Sequence, residues 1–226
     1  MTHTNRVRFE DMKKIDPQTE NQLSVFDSWD DGDNIVLAGS AGTGKTFLAM
    51  YLALESVLTR DTPYHRVIIV RSVVPVRDMG FLPGTLEEKK EVFETPYKSI
   101  CNELFNDPKS YNKMINNNTI EFTTTSYIRG MTIDNAIIVV DEMQNLNFHE
   151  LDSVITRVGR ECKFMMCGDY YQSDFEKEKD KNGILMFMNI IEQLKHFTTV
   201  EFGWEDIVRS DFVRDYIMTK EMLGIK

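Results

Sequence analysis

The stretch "NIVLAGSAGTGKTFLAMYLAL", residues 34–54, decides the fold. A short apolar run enters a glycine-rich octet and leaves it as a segment that is apolar on almost every side. Gly39, Ser40, Ala41, Gly42, Thr43, Gly44, Lys45 and Thr46 satisfy G-x-x-x-x-G-K-[ST] at every fixed position. The flanks carry as much weight as the octet: "NIVLAG" predicts a strand and "KTFLAMYLALESVL" a helix set deep against a sheet. In that context the glycines let the backbone fold around phosphate oxygens with its N–H groups inward, and the helix N-terminus adds a favourable dipole. Lys45 is expected to reach the β- and γ-phosphates of a nucleotide, and Thr46 to offer its hydroxyl to Mg²⁺.

Further apolar runs follow the same habit: "VIIVRS" (67–72), "AIIVVDE" (136–142), "KFMMCGD" (163–169) and "TTVEF" (198–202). Strands apolar on successive residues are buried on both faces, which is the pattern of a parallel sheet covered by helices. The expectation is an α/β fold, a single P-loop core with a mostly parallel sheet and helices on both faces. "NFHELDSVITRVG" predicts a helix opened by Asn147 and Glu150 and stopped at Gly159. "SDFVRDYIMTKEML" predicts another, capped by Ser210. Residues 71–96, with three prolines and two glycines, read as an exposed loop passing into a helix. "FNDPKSYNKMINNN" and "FEKEKDKNG" read as solvated connections.

The run "IIVVDEMQN" (137–145) ends a buried strand on two adjacent carboxylates and then two amides. Neighbouring carboxylates repel, so positive charge is required nearby. Placed beside the P-loop strand, Asp141 would hold the magnesium, usually through water, and the cation would offset the clustered charge. Glu142, one residue on, would orient and deprotonate the water that attacks the γ-phosphate, which favours hydrolysis over transfer to another acceptor. Gln144 and Gln172, the latter in "GDYYQ", follow predicted strand ends at the edge where such sheets bind ligands, and each would sense the γ-phosphate or the attacking water.

Composition sets outer limits. The chain has 226 residues, enough for one domain with a substantial core, and its 42% hydrophobic and 27% charged content fits a soluble protein. No apolar run approaches the ~20 residues needed to cross a bilayer. There is no signal-peptide-like core, and Cys101, Cys162 and Cys167 form no disulfide framework, so a cytoplasmic location is expected, with no membrane partner. Four scattered histidines and no cysteine pair at zinc spacing argue against a structural metal. A net charge of −10 opposes general attraction to nucleic-acid phosphate, so any such surface must be local.

"GSAGTGKT", "DEMQN" and "GDYYQSD" resemble motifs I, II and III of superfamily 1 helicases. With "RSVVPVRDMGFLPGTLEEK", "IRGMTIDNAIIVVDEMQN", "ITRVG" and "DIVRSDFV" the chain resembles the PhoH family of P-loop ATPases over residues 17–220. The chain departs from the family at Met143, where Ala is usual, and at "RSVV", where "RPAV" is common. The resemblance implies a RecA-like core in a domain of residues 17–226 after an N-terminal extension of residues 1–16, with ATP and Mg²⁺ as cofactors. It also implies ATPase activity of helicase-like character and a homo-oligomer, a hexameric ring being favoured. Gln22, in "DPQTENQ", falls where superfamily 1 enzymes read adenine. No added nuclease or RNA-binding domain is expected on either side.

Such helicases close their site with an arginine from a second lobe, and the chain has room for one lobe. The cation would then come from a neighbouring subunit or from the chain's own C-terminal segment. Arg209 is the first candidate, although an ion pair with Asp206 would equally explain it, and Arg157 and Arg129 follow. The expected activity is hydrolysis of ATP coupled to remodelling or unwinding of single-stranded nucleic acid, RNA favoured, with Arg77, Phe81, Tyr127 and Arg129 as candidate contacts. The alternative is a nucleotide-dependent switch or assembly module acting on a protein partner. A small-molecule kinase is disfavoured by Glu142 and the paired glutamines.

Overall fold

The computed structural model describes residues 6–72, 86–169 and 178–224. Among the described residues six strands are formed: β1 (Asn34–Gly39), β2 (Arg66–Arg71), β3 (Ile120–Thr124), β4 (Ala136–Asp141), β5 (Cys162–Gly168) and β6 (Phe197–Phe202). They make one sheet in the order β3-β2-β4-β5-β1-β6, and every pairing is parallel. Successive side chains leave a strand on opposite sides, so a run of Val, Ile and Leu supplies two cores at once. In β1, Ile35 and Leu37 join one core while Val36 and Ala38 join the other.

The first face is covered by α1 (Glu20–Asp30), α2 (Lys45–Leu58), α3 (Leu86–Phe105) and α4 (Ser110–Asn116). Leu48 to Leu54 of α2 are all buried, as its all-round apolar sequence requires. On the second face lie α5 (Thr125–Ile128), α6 (Phe148–Ile155) and α7 (Glu178–Ile191). A last helix, α8 (Asp211–Met222), buries none of its residues and rests at the carboxyl edge of the sheet, where Ser40 donates a hydrogen bond to Glu221. Among the described residues no helix is long and apolar enough to cross a membrane.

Several expectations are corrected. The strand bearing Asp141 does not lie beside the P-loop strand: β5 runs between β4 and β1. Periodicity identifies strands but carries no information on their lateral order. β3 has no counterpart among the expected strands, and "FNDPKSYNKMINNN" is not merely a solvated connection, since it folds into α4 with Tyr111 and Met114 fully buried. Its Asn and Lys content masks two anchoring side chains on a seven-residue helix. Likewise "FEKEKDKNG" runs into α7 from Glu178.

The helix after Asn147 has the expected reciprocal cap, with Glu150 N–H donating to Asn147 and Asn147 N–H to Glu150, but it stops at Ile155 instead of Gly159. Gly159 serves a different need. Its N–H donates to the Ile133 carbonyl at 2.7 Å, and a Cβ there would sit 2.2 Å from an Asp134 carboxylate oxygen. Ser210 occupies the N-cap position of α8 without a side-chain capping bond.

If α4 is a core element, Met114→Ala costs about 2–5 kcal/mol while the exposed Asn112→Ala stays within about 0.5 kcal/mol. Chemical denaturation of the two variants checks this; equal midpoints would return the segment to the surface.

Candidate functional site

The site grows from the turn after β1. Gly39 has φ +112°, and a Cβ there would lie 2.1 Å from the Phe202 carbonyl oxygen, so only glycine fits against β6. Ser40 N–H donates to that same carbonyl at 3.1 Å, which fixes how the chain leaves the sheet. Helix α2 opens at Lys45 directly after Gly44, so its unpaired N–H groups face the turn. Lys45 Nζ lies within the loop, 2.8 Å from the Gly39 carbonyl oxygen, 2.6 Å from that of Ser40 and 3.3 Å from Thr43 Oγ1. Burial pulls the Lys45 pKa below the ordinary lysine value, with acidic neighbours including Asp169, Glu142 and Asp141 opposing it. A polyphosphate entering this loop meets a partly desolvated cation and inward N–H groups.

The end of β4 supplies the opposing wall. Asp141 is 3% exposed, and both its oxygens are engaged: Thr46 Oγ1 donates to Oδ1 at 2.8 Å and the Tyr97 hydroxyl to Oδ2 at 2.7 Å. Glu142 then takes a left-handed conformation, φ 53° and ψ 47°, which costs a non-glycine residue about 1–2 kcal/mol. This turn ends the strand and sets Glu142 on the cleft. Gln144 Nε2 donates to Glu142 Oε2, and an Arg71 guanidinium nitrogen lies 3.8 Å from Oε1. Partial burial, then the neighbouring Asp141, raise the Glu142 pKa, while Arg71 and the Gln144 bond draw it back.

β5 reaches the same place between the two walls. Asp169 N–H donates to Gln144 Oε1 at 3.2 Å, and a Cβ on Gly168 would come 2.2 Å from that oxygen. Gln144 therefore joins the end of β5 to Glu142, and Gly168 leaves the room it needs.

These side chains surround a cleft of about 860 Å³ whose lining includes Gln22, Gly39, Ala41, Gly42, Gly44, Lys45, Thr46, Asp141, Glu142, Gln144 and Arg209. Gln22, on α1, is 4% exposed; its Oε1 accepts from Gln18 N–H at 2.8 Å and its Nε2 donates to the Thr43 carbonyl at 3.5 Å. Arg209 is held over the loop because Val208 N–H donates to the Gly42 carbonyl at 3.3 Å. A Cβ on Gly42 would meet the Arg209 stem at 3.3 Å. No ion pair between Arg209 and Asp206 is found among the described residues; Asp206 accepts from Asn21 and Gly203 instead. Arg129 and Arg157 do not border the cleft. Gln172, Arg77 and Phe81 lie outside the described residues.

The sequence reading assigns no role to two contributors, Arg71, which opens the departing "RSVV", and Tyr97. Arg71 ends β2, and its place at the carboxyl edge is readable from the run "VIIVR". Tyr97, in the middle of α3, carries no local signal; only the packing of α3 against the sheet brings its hydroxyl to Asp141.

Magnesium requires oxygen donors in an octahedral arrangement and keeps several waters. The Thr46 hydroxyl and Asp141 carboxylate, already 2.8 Å apart, are such donors. Among the described residues no cluster of three or more His, Cys, Asp or Glu could hold a metal, so phosphate oxygens and water would complete the shell of a bound magnesium. The residues present fit that ion.

Removing the central cation tests the cleft. Lys45→Ala is expected to weaken binding of a fluorescent ATP analogue at least tenfold, about 1.4 kcal/mol. Undiminished affinity in a titration would place the nucleotide elsewhere.

The chain is similar to known proteins over most of its length. A PhoH-like protein of Mycobacterium leprae is 32% identical over 206 residues, covering 91% of this chain and 58% of the relative. Protein PhoH of Escherichia coli is 29% identical over 202 residues, covering 88% of this chain and 56% of that protein. The chain thus spans little more than half the length of these relatives. Among solved structures, the large terminase of a thermophilic bacteriophage superposes with a TM-score of 0.52 at 14% identity, over 92% of this chain and 50% of the terminase, a likeness of fold alone. The family model for PhoH-like protein matches residues 14–220, and the chain belongs to that family.

Proposed function

We propose that this chain is a magnesium-dependent ATPase that couples hydrolysis to remodelling or unwinding of single-stranded nucleic acid, RNA favoured. The observation that carries the catalytic half is the grouping at one sheet edge of Lys45, the Thr46–Asp141 pair and Glu142. In this reading Lys45 and the loop N–H groups of Gly39 to Thr46 bind the phosphates, and Gln22 reads the base. A bound magnesium would neutralise charge on the β- and γ-phosphate oxygens, with Thr46 and Asp141 as its protein ligands. Glu142 takes a proton from the attacking water as the O–Pγ bond forms and the bond from Pγ to the β–γ bridging oxygen breaks. ADP and phosphate leave, and the proton returns to solvent. Gln144 orients Glu142 and Gln172 senses the γ-phosphate, while Arg209 stabilises the charge that develops on the transferring group.

The nucleic-acid half is supported by Tyr127, 67% exposed, and exposed Arg129. Both follow β3 at the carboxyl edge that also holds the P-loop, and an aromatic ring beside a cation suits stacking on a base and pairing with phosphate. A homo-oligomer, with a hexameric ring favoured, would set further cations against the cleft of the next subunit. The domain proposed for this activity is residues 17–226.

The second reading, a nucleotide-dependent switch acting on a protein, is favoured by α8. That helix touches the P-loop through Ser40 and Glu221 while turning Phe212 and Tyr216, 80% and 63% exposed, to solvent. Hydrolysis measured with and without single-stranded RNA or DNA over a range of salt separates the two. Turnover indifferent to both nucleic acids would reject the motor.

Two variants test the chemistry. Arg209→Ala is expected to keep nucleotide affinity within about threefold and to lower kcat by ~10²–10³-fold; unchanged turnover removes Arg209 from the mechanism. Because Glu142 must be ionised to act as a base and its pKa is raised, turnover should fall as pH is lowered through that raised value. Arg71→Leu deletes a cation that draws the pKa down, so the acid limb of the kcat profile should move to higher pH. A limb that stays in place, or moves down, contradicts the assignment of Glu142.

A further inference from the structure

The Asp141 carboxylate has two oxygens but only one is needed by a metal. Thr46 Oγ1 donates to Oδ1, and both are oxygen donors that would hold a bound cation. Oδ2 is held from the other side by Tyr97, which comes from α3 and is fully buried. The Tyr97 ring is fixed in turn, tilted against Phe122 of β3 with centroids 5.8 Å apart. The Arg71 guanidinium, which reaches Glu142, lies over the Phe93 ring of the same α3 at 5.7 Å.

From this arrangement we propose that Tyr97 is a positioning residue for the cation end of the nucleotide site. It pins Oδ2 of Asp141, so that Oδ1 alone is presented to the metal or to its bound water. The proposal rests on the ATPase reading above and adds to it a residue from a helix that carries none of the phosphate-binding groups. Hydrogen bonds to both oxygens fix the rotation of a carboxylate about its Cβ–Cγ bond more firmly than a bond to one. Without the Tyr97 hydroxyl, Oδ2 is left unpartnered in a buried place, and the carboxylate turns to satisfy it. The metal then loses a pre-oriented ligand, while the loop and Lys45, which bind the phosphates, are untouched. Preorganised ligands are worth roughly 10–100-fold in metal affinity, as supporting hydrogen bonds to metal ligands generally are. The same contacts make α3 mechanically continuous with the carboxylates: Tyr97 with Asp141 and, through Arg71, with Glu142.

The test is Tyr97→Phe, which keeps the ring against Phe122 and deletes only the hydroxyl. A fluorescent ADP analogue is titrated into the full chain, once with a chelator and once across a magnesium series. In the variant, affinity under chelator should match the parent, the gain in affinity on adding magnesium should shrink at least fivefold, and half-saturation should move to higher magnesium. A Tyr97→Leu variant, which also loses the ring contact, should melt lower than Tyr97→Phe but show the same magnesium deficit. If Tyr97→Phe keeps the parent's full gain, or if the deficit arises only in the leucine variant along with the drop in melting temperature, Tyr97 is a packing residue and the proposal fails. A parent protein whose nucleotide affinity ignores magnesium altogether removes the cation site, and with it both this role and the magnesium-dependent ATPase reading. Loss of the gain in the variant alone leaves that reading intact.

Discussion

The structure turns on the problem of holding Asp141 and Glu142 together at the end of a strand buried along its whole length. Two adjacent carboxylates at such a place repel, and partial burial disfavours the charged form of Glu142. The chain resolves this by giving them different surroundings. Asp141 stays in the sheet register, 3% exposed, with a hydroxyl on each oxygen. Glu142 is thrown out of register by a left-handed backbone and meets an amide and a guanidinium. Strain of this sort persists only where its surroundings enforce it, and such places concentrate at functional sites.

The parallel sheet makes the concentration possible. Every strand points the same way, so the residues that follow β1, β2, β4 and β5 all emerge at one edge. Gly39, Arg71, Asp141 and Gly168 are each the last residue of their strand. The interposed β5 is what separates Lys45 from Glu142 laterally and what lets Asp169 and Gln144 bond to each other in the gap. Helix α8 closes the same edge from outside the sheet, where Ser40 donates to Glu221 and a Cβ on Gly42 would meet the Ile217 side chain at 3.1 Å.

Much of this is legible in the sequence because it is local. The loop, the strand before it and the helix after it are contiguous, so a glycine pattern and a change in hydrophobic period suffice to find them. Asp141 and Glu142 are legible for the same reason. The lateral order of strands is not, because pairing is decided by which faces pack together over long sequence separations. Helix α4 escapes a reading by composition because its few apolar residues, Tyr111 and Met114, anchor a segment that is otherwise polar.

By itself, then, the sequence determined the α/β class, the glycine-rich turn between strand and helix and the two adjacent carboxylates at a strand end, since each is written in neighbouring residues. Tertiary structure alone decided that Tyr97, 44 residues from Asp141, would donate its hydroxyl hydrogen to that carboxylate, and that Arg71 would face Glu142. The physical reason is that a hydrogen bond between distant segments is specified by the packing of α3 and β2 against their neighbours. No residue along the chain records where another will lie once the sheet has closed over it.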